Sequence, residues 1–599
     1  MSPSSRSAPA HVSSASALLA CVLATGGCVS DVQFASTQEL RQSIVDSAQR
    51  ELREAQQFPE PRTVPRPPQD DLGFTPERRT ELERMAGPDS YVPGTADAGV
   101  DLLGHADSGA FALALEQAVA ASVESNLAVQ SARLTPAISG AQVIEAQAAF
   151  DWVFFADFAW NAIDQPSIVP VVNGIPVGNP AQLSQSVAYE TGVRRNLISG
   201  GAIEISQGST YIDNETPGAA FSPDPANEAF IEIDVAQPLL EGFGSDVALA
   251  QVRLAQNTER TAIQSLRQQL INTVRGVETA YWRLYAAYRI LQVQQRLLDR
   301  GIETRDVLEA RREFDVRPAE FSDAVATVED RRGNVIVAQN ELRLASDELK
   351  LLINNDAFTI GSEVLLLPLD VPPAEPIQFS VLDSITAALA HRPDIASAIL
   401  SIDDASIEQL LADNARLPAL DLTFQARFNG LGGDLGDAYG DVAEAGFVDL
   451  ALGLQFEQAI GNRADEAAAR AAQLGRLQEV VNYRAAVQNA VGEVKASLRN
   501  IQTNYRLIEQ ARTTRLAATE NLRTLEVLEE TTQSLTPDFL DLKFTRQEAL
   551  AIAEINEINA LADYNISISD LYAAQGTALE RNRIAVVVPD YPGNISPSW

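Results

Sequence analysis

The stretch "LPALDLTFQARFNG", residues 417–430, alternates strictly between apolar and polar side chains. The apolar positions are Leu420, Leu422, Phe424, Ala426 and Phe428. The polar positions between them are Asp421, Thr423, Gln425 and Arg427. This alternation is the period of a β-strand that has one apolar face and one polar face. The sequence on both sides reads as long helix rich in alanine and glutamine, so the question is what each face of the strand contacts.

The same alternation occurs in three other segments of the chain. In "DWVFFADFAW" (151–160), Trp152 and Trp160 share one face with the apolar residues between them. The segments "FIEIDVAQP" (230–238) and "FVDLALGLQFEQ" (447–458) alternate in the same way. The sequence therefore predicts four short two-faced strands, two in each half of the chain.

The remaining sequence reads as helix arranged in two copies of one unit. The segment "NTVRGVETAYWRLYAAYR" (272–289) superposes without gaps on "NAVGEVKASLRNIQTNYR" (489–506). In each copy, apolar residues recur every seven positions, a period that specifies helices packed along their lengths. Each long helix ends at a proline-marked turn, "FDVRPAEF" (314–321) or "QSLTPDFL" (533–540), and a return helix follows. The sequence predicts two long helical hairpins.

The N-terminus has the layout of a secretory signal peptide. Arg6 precedes the short apolar run 17–25, and small residues then lead to Cys28. This ending is similar to a bacterial lipobox, with Thr25 where leucine is usual, and predicts lipid attachment at Cys28. Plain cleavage near "ATGG" without a lipid is the alternative. No other apolar run reaches the length of a transmembrane helix, so a membrane-spanning form of this chain must use strands.

Composition disfavours nucleic-acid binding and catalysis. The 599 residues carry a net charge of −36, and binding to phosphates needs a basic surface. Three histidines and two cysteines leave little material for a metal site or a nucleophile, and no spacing singles out a pair of carboxylates. We expect no nucleic-acid partner and no enzymatic activity.

Four strands are too few to close a barrel, but three chains would supply twelve. In such a barrel the apolar faces would contact lipid, with Trp152 and Trp160 in the aromatic girdle at the interface. The polar faces would line the pore, through Glu232, Asp234, Asp421, Thr423, Gln425 and Arg427. A soluble β-sandwich is the alternative. Residues 163–228 form an insertion in the first copy that contains a strand-like pair, whose place in the sheet the sequence leaves open.

Several segments together resemble the TolC-type outer membrane efflux proteins, also called outer membrane factors. They are "HRPDIASA" (391–398), "LPALDL" (417–422), "AQPLLEGFG" (236–244) and "FEQAIGNRADEAAARAA" (456–472). The resemblance covers about residues 110–576. It implies a mainly α fold with a small transmembrane β part, in which a homotrimer forms an α-helical barrel continuous with a 12-strand β-barrel. It also implies a passive export conduit in the outer membrane that works with a periplasmic adaptor protein and an inner membrane pump, and that binds no catalytic cofactor.

The resemblance also points to acidic residues at the hairpin turns. "DFLDL" (538–542) resembles the family's acidic pattern after the second turn, so Asp538 and Asp541 are candidates for a gating ring. They are three residues apart and share one helix face. In the first copy, Glu320 and Asp323 are the equivalent tip acids. The alternative is that such acids only offset the positive end of the helix dipole.

These patterns divide the chain into six predicted segments and leave other functions open. The segments are a signal peptide (1–28), a periplasmic helix and proline-rich linker (29–109), repeat 1 (110–356), a linker (357–379), repeat 2 (380–576) and a C-terminal tail (577–599). The main alternative is a periplasmic coiled-coil adaptor or scaffold without a pore. An envelope enzyme that uses the scattered carboxylates is a third possibility.

Overall fold

The structure is a computed structural model of the chain, and it describes most residues between 42 and 588. Outside the description are residues 1–41, 43–44, 48, 54, 58–59, 64–71, 88–89, 91–95, 105–108, 167, 170, 174, 177–180, 217–220, 312–315, 533–536 and 589–599. The chain divides into two compact units. The first contains residues 140–258 and 401–481, and the second contains residues 46–139, 259–400 and the chain from 482 onward.

The first unit is built around an antiparallel sheet. Its strands are β1 Val153–Pro166, β2 Ala181–Asn196, β3 Ala202–Asn214, β4 Ala226–Pro238, β5 Ala419–Gly432 and β6 Phe447–Glu457. Within the described residues the sheet order is β1-β2-β3-β4-β5-β6. The opening stretch of the sequence is β5, and its backbone is paired on both sides, by β4 and β6.

The register of the sheet brings the apolar residues of neighbouring strands onto one face. Phe424 of β5 lies opposite Val235 of β4 and Leu452 of β6. The next residue, Gln425, lies opposite Asp234 of β4 on the other face. Because directly opposed residues in an antiparallel sheet share a face, the two-faced character predicted for β5 extends across its neighbours.

The main sheet has six strands: the four that the sequence predicts and the pair whose place the sequence left open. The added pair is β2 and β3, which lie within the insertion 163–228 and join the main sheet between β1 and β4. Local alternation could not decide this, because whether a hairpin joins a sheet depends on which strands offer it free backbone groups.

The helices form the predicted hairpins. They are α1 Pro76–Met85, α2 Leu115–Ser125, α3 Leu127–Ala148, α4 Ala250–Arg311, α5 Pro318–Ile353, α6 Val381–His391, α7 Pro393–Asn414, α8 Leu435–Glu444, α9 Arg463–Thr532 and α10 Pro537–Ala574. The two long helices, α4 and α9, have 62 and 70 residues. Each is followed by its return helix, α5 or α10. The mainly α fold with a β part is therefore confirmed.

The seven-residue stripes form the core of the second unit. In α4, the stripe residues Leu270, Leu284 and Leu291 are buried, and Val277 between them is buried as well. In α9, the equivalent stripe residues Val487, Val494, Ile501 and Ile508 are also buried. Burial of a side chain of this size stabilises a fold by about 1.5–3 kcal/mol. The stripes therefore account for the packing of the long helices.

Both copies break the helix before the first strand, and the residue at the break anchors the end of the return helix. In the first copy, Asn126 separates α2 from α3 and donates a hydrogen bond from Nδ2 to the carbonyl of Leu352 (2.8 Å). In the second copy, Arg392 separates α6 from α7 and donates from Nη1 to the carbonyl of Ala574 (3.1 Å). Carbonyl groups in the last turn of a helix lack partners within the helix, so these bonds satisfy them.

We expect Arg392→Ala to loosen the C-terminal end of α10 by about 1.5–3 kcal/mol, the range for hydrogen bonds to charged groups. Arg392 also pairs with Asp394 (2.8 Å) and Glu493 (2.5 Å), so the alanine removes three interactions. Amide hydrogen exchange over the last turn of α10 measures the change. Asn126→Ala is the matched control in the first copy. We expect it to loosen the C-terminal end of α5 by about 0.5–1.5 kcal/mol, measured by amide hydrogen exchange over the last turn of that helix. Equal effects would contradict the role given to the charge.

The described part of the C-terminal tail packs on the second unit. Gly576 ends α10 in the left-handed conformation (φ +73°), where a side chain would meet the carbonyl of His391. A short helical turn, Ala578–Arg581, follows, and Ala578 and Leu579 are buried in the core. The first residues of the tail are thus part of the fold.

Candidate functional site

The polar face of the sheet carries a network centred on Glu232 of β4. Arg427 Nη1 lies 3.1 Å from Glu232 Oε2, and Gln425 donates a hydrogen bond to the other oxygen of the same carboxylate. The guanidinium of Arg427 also lies over the ring of Phe230, 4.0 Å from its centroid. The register places Asp234, Asp421 and Thr423 on this face too. The structure therefore brings all six predicted pore-lining residues to one surface.

The network continues to two residues that were not predicted as lining. Arg427 Nε donates to Asn429 Oδ1 (3.0 Å), and Asn429 Nδ2 donates to Asp449 Oδ2 of β6 (2.7 Å). Alternation would have placed both residues on the polar face. Their pairing could not be read from the sequence, because it depends on the register between β5 and β6.

Carboxylates outnumber cations on the polar face. The register places two arginines there, Arg194 and Arg427. It also places nine acidic residues there: Asp157, Glu190, Glu204, Glu228, Glu232, Asp234, Asp421, Asp449 and Glu457. A water-filled path along this face would have a negative potential that favours cations.

The opposite face is apolar; α8 packs over it at Ala229 and Phe428 of the central strands, and its side chains are most exposed on the two outer strands. Six large side chains there are each 63–75% exposed: Phe154, Phe158, Trp160, Leu450, Leu452 and Leu454. Soluble monomers rarely expose an apolar patch of this kind, which marks a surface for protein or lipid.

The two predicted girdle tryptophans lie on this apolar face. Trp152 directly precedes β1, and the guanidinium of Arg195 lies 5.7 Å from its ring centroid. Trp160 lies eight residues further, about 27 Å along the strand at 3.4 Å per residue and so about 21 Å along the axis of a barrel whose strands tilt by about 40°. The apolar band of a transmembrane barrel is about 25 Å tall. The spacing therefore suits aromatic residues at the two ends of one apolar stretch.

The sheet has two open edges. β1 and β6 are its outer strands, and within the described residues each is paired along one side only. The unpaired backbone groups of an exposed edge form a template on which another strand can add. Among the described residues of the single chain, these edges and the apolar side chains of β1 and β6 lack a covering partner.

At the first hairpin turn, Glu320 caps a helix. Its Oε2 accepts a hydrogen bond from the backbone N–H of Arg317 (3.1 Å), at the start of α5. This hydrogen bond caps the first turn of α5, a more specific role than the interaction with the helix dipole that the sequence left open. Asp323, the other tip acid of the first copy, is exposed.

At the second turn, Asp541 is exposed on α10, next to the buried Leu540. Leu540 packs with Leu308 and Ala324, so Asp541 follows a residue that faces the core. Asp538 is the second residue of α10, and its side chain lies outside the described part of the chain. The structure therefore positions one of the two proposed ring residues.

The predicted export segment and Cys28 lie outside the described residues. Among the residues that are described, no three His, Cys, Asp or Glu side chains are grouped so that they could hold a metal ion. Across the same residues, every helix is too short or too polar to cross a membrane.

The fold matches outer membrane channels of known structure. The Campylobacter jejuni CmeC outer membrane channel aligns with a TM-score of 0.56 at 16% identity, covering 78% of this chain and 86% of that one. The outer-membrane channel OprN aligns at 0.56 and 15%, covering 82% and 99%. The Neisseria gonorrhoeae MtrE outer membrane channel, in its open state, aligns at 0.54 and 19%, covering 78% and 89%.

No protein-family model and no curated protein matches the chain by sequence. Because the sequence identities are this low, the similarity to solved structures establishes the fold alone. The chain has the fold of the TolC-type outer membrane channels, and the resemblance drawn from its motifs is confirmed at that level.

Proposed function

We propose, from the fold shared with outer membrane channels, that three copies of this chain form an export channel in the outer membrane. The observation that carries the proposal is the sheet, which has one apolar face, one polar face and two open edges. A soluble sandwich would need another layer over the apolar face, and the described residues supply none for Leu450, Leu452 and Leu454.

The two edges are complementary. Because the sheet has an even number of antiparallel strands, β1 and β6 run in opposite directions. β6 of one copy can therefore continue an antiparallel ladder onto β1 of the next copy. A ring closed in this way has no free edge, which a sheet exposed to lipid requires. Three copies contribute eighteen strands, not the twelve expected from sequence.

The strands are long enough to span a membrane. A tilted transmembrane strand needs about 9–11 residues. The shortest strand of the sheet, β6, has 11 residues and the longest, β2, has 16. In the membrane, the apolar face would contact lipid and the polar face would line the water-filled path.

Transport through such a channel is passive, so the energy comes from partners. We propose a periplasmic adaptor and an inner membrane pump, in a tripartite efflux or type I secretion system, on the resemblance of the motifs. The predicted signal peptide and lipid attachment at Cys28 fit an outer membrane location with a periplasmic extension. In this proposal, residues 110–356 and 380–576 are the two repeats, and the channel is not an enzyme.

We propose that Asp538 and Asp541 of the three copies form two acidic rings at the hairpin tips and gate the channel. The exposure of Asp541 supports this, since its carboxylate is free to face water. Rings of carboxylates favour cations in other channels. Glu320, by contrast, is engaged in capping α5.

Single-channel recording in planar bilayers tests the proposal. The detergent-purified wild-type protein should form a channel that prefers cations, and Asp541→Asn should lower that preference several-fold because three charges leave the ring. Asp323→Asn, the equivalent change in the first copy, is the matched control and should leave the preference unchanged.

Each outcome separates the parts of the proposal. If Asp541→Asn leaves the cation preference of the channel unchanged, the result supports the export conduit and contradicts the acidic ring. A folded protein that forms no channel and stays soluble without detergent would contradict the conduit and favour the periplasmic scaffold.

A further inference from the structure

We propose that the β-hairpin formed by β2 and β3 widens the outer part of the channel. The widened part then accepts cargo as wide as two packed helices, such as two antiparallel helices of an exported polypeptide. The inference rests on the proposed trimeric channel. It goes beyond that proposal by giving the insertion 163–228 a role and the cargo a size class.

The hairpin is a full member of the sheet. β2 is paired with β1 along nearly its whole length, from Arg194 opposite Val153 to Ala181 opposite Pro166. β3 is paired with β4 from Ala202 to Ile212. A flap above the sheet would have one free side, whereas this hairpin is laddered on both.

The turn of the hairpin, between β2 and β3, is fixed to the segment that follows β4. In the turn between β2 and β3, Gly200 has φ +90°, and a side chain there would clash with the carbonyl oxygen of Gly242. Gly244 N–H donates to the carbonyl of Ser199 (3.0 Å). Only glycine allows this close approach, so the turn is built to lie against its neighbour.

The middle of the hairpin is held by α8. The hydroxyl of Tyr439 donates to Gln207 Oε1 of β3 (2.5 Å) and lies 2.8 Å from the hydroxyl of Tyr189 of β2. Ala438 of the same helix is fully buried against Ala229 of β4. The hairpin is therefore held along both sides, at its turn and at its middle, which makes it part of the wall.

Two added strands per chain change the width of the ring. With strands about 4.8 Å apart and tilted by about 40°, each strand adds about 6.3 Å to the circumference. Eighteen strands give a backbone diameter of about 36 Å, compared with about 24 Å for twelve. Side chains take about 5 Å on each side, half the spacing of packed sheets. The free width is then about 26 Å instead of about 14 Å.

That difference separates two classes of cargo. One helix has a diameter of about 10–12 Å, and two packed helices measure about 20 Å across. The narrower ring would admit one helix, whereas the wider ring admits a hairpin of two. The hairpin adds Glu190, Arg194 and Glu204 to the polar face, so the added wall is wettable.

Labelling a cysteine with maleimide-linked polyethylene glycols of graded size measures the width without relying on conductance. Gln425→Cys is placed on the exposed polar face of β5, in the full-length protein reconstituted in lipid vesicles. We expect it to react with polymers of radius up to about 13 Å, half of the free width of an eighteen-strand ring. Phe424→Cys, the adjacent residue on the apolar face, is the matched control and should be shielded by lipid.

A radius limit of about 7 Å, half of the free width of a twelve-strand ring, would overturn the widening and leave the channel intact. Equal reactivity at positions 424 and 425 would mean that no face is covered by lipid, and would overturn the proposed function together with the inference.

Discussion

Replacing Arg515 with alanine is expected to weaken the attachment of α1 by about 3–5 kcal/mol, the cost of leaving buried charges without their partner. Arg515 is fully buried on α9. Its Nη2 lies 2.6 Å from Glu83 of α1, and its other nitrogens donate to Glu557 of α10 and to the carbonyl of Ala86. Amide hydrogen exchange over α1 should accelerate on the order of a few hundred- to a few thousand-fold.

The electrostatics of this cluster explain the size of the effect. Burial raises the pKa of Glu557, and the charge of Arg515 offsets this only in part. Burial alone would also raise the pKa of Glu83, but Arg515 and Arg512 outweigh it and lower that pKa below its ordinary value. Without Arg515, two carboxylates share a buried site with Arg512 as the nearest remaining cation.

Glu557→Gln is the matched control for this prediction. The glutamine keeps an oxygen that can accept from Arg515 and removes only the charge, so the expected cost is about 1 kcal/mol. Leu82 and Ala86 of the same segment are also fully buried, and Ala86 packs with Leu522 of α9 and Leu550 of α10. If Arg515→Ala left the exchange of α1 unchanged, this apolar contact alone would hold the segment.

The second large effect is expected at the apolar face of β6. Leu452→Arg should cost about 2–4 kcal/mol in each chain, the range for a basic residue near the middle of the lipid-facing band. Leu452 is 75% exposed in the single chain, so the change would disturb little in a protein without a membrane. The free energy of unfolding in lipid vesicles, measured by urea titration, reports the difference.

Ala451→Arg, one residue earlier on the same strand, is the control for the change of charge. Ala451 lies opposite Gln425, on the polar face, where an added cation would meet water and neighbouring carboxylates. We expect this variant to be nearly neutral. If the two arginines had the same effect, the assignment of one face to lipid and the other to water would be wrong.

Local periodicity was sufficient to predict much of this fold. Alternate side chains of any strand share a face, so the polar set on β4 and β5, from Glu232 to Arg427, followed from alternation alone. A seven-residue stripe buries one side of a helix whatever its partner, so the long helices α4 and α9 could also be read from the sequence.

Features that depend on partners far apart in the chain were decided by the tertiary structure. β2 and β3 became part of the sheet because β1 and β4 offered free edges on either side, which their own residues could not reveal. Glu320 was expected as a tip acid, and its geometry shows that it caps α5. Glu83 and Arg515 are 432 residues apart, and nothing local to either marks it as a buried partner. A sequence pattern reports which way a side chain points, whereas the packing of distant elements determines what it meets.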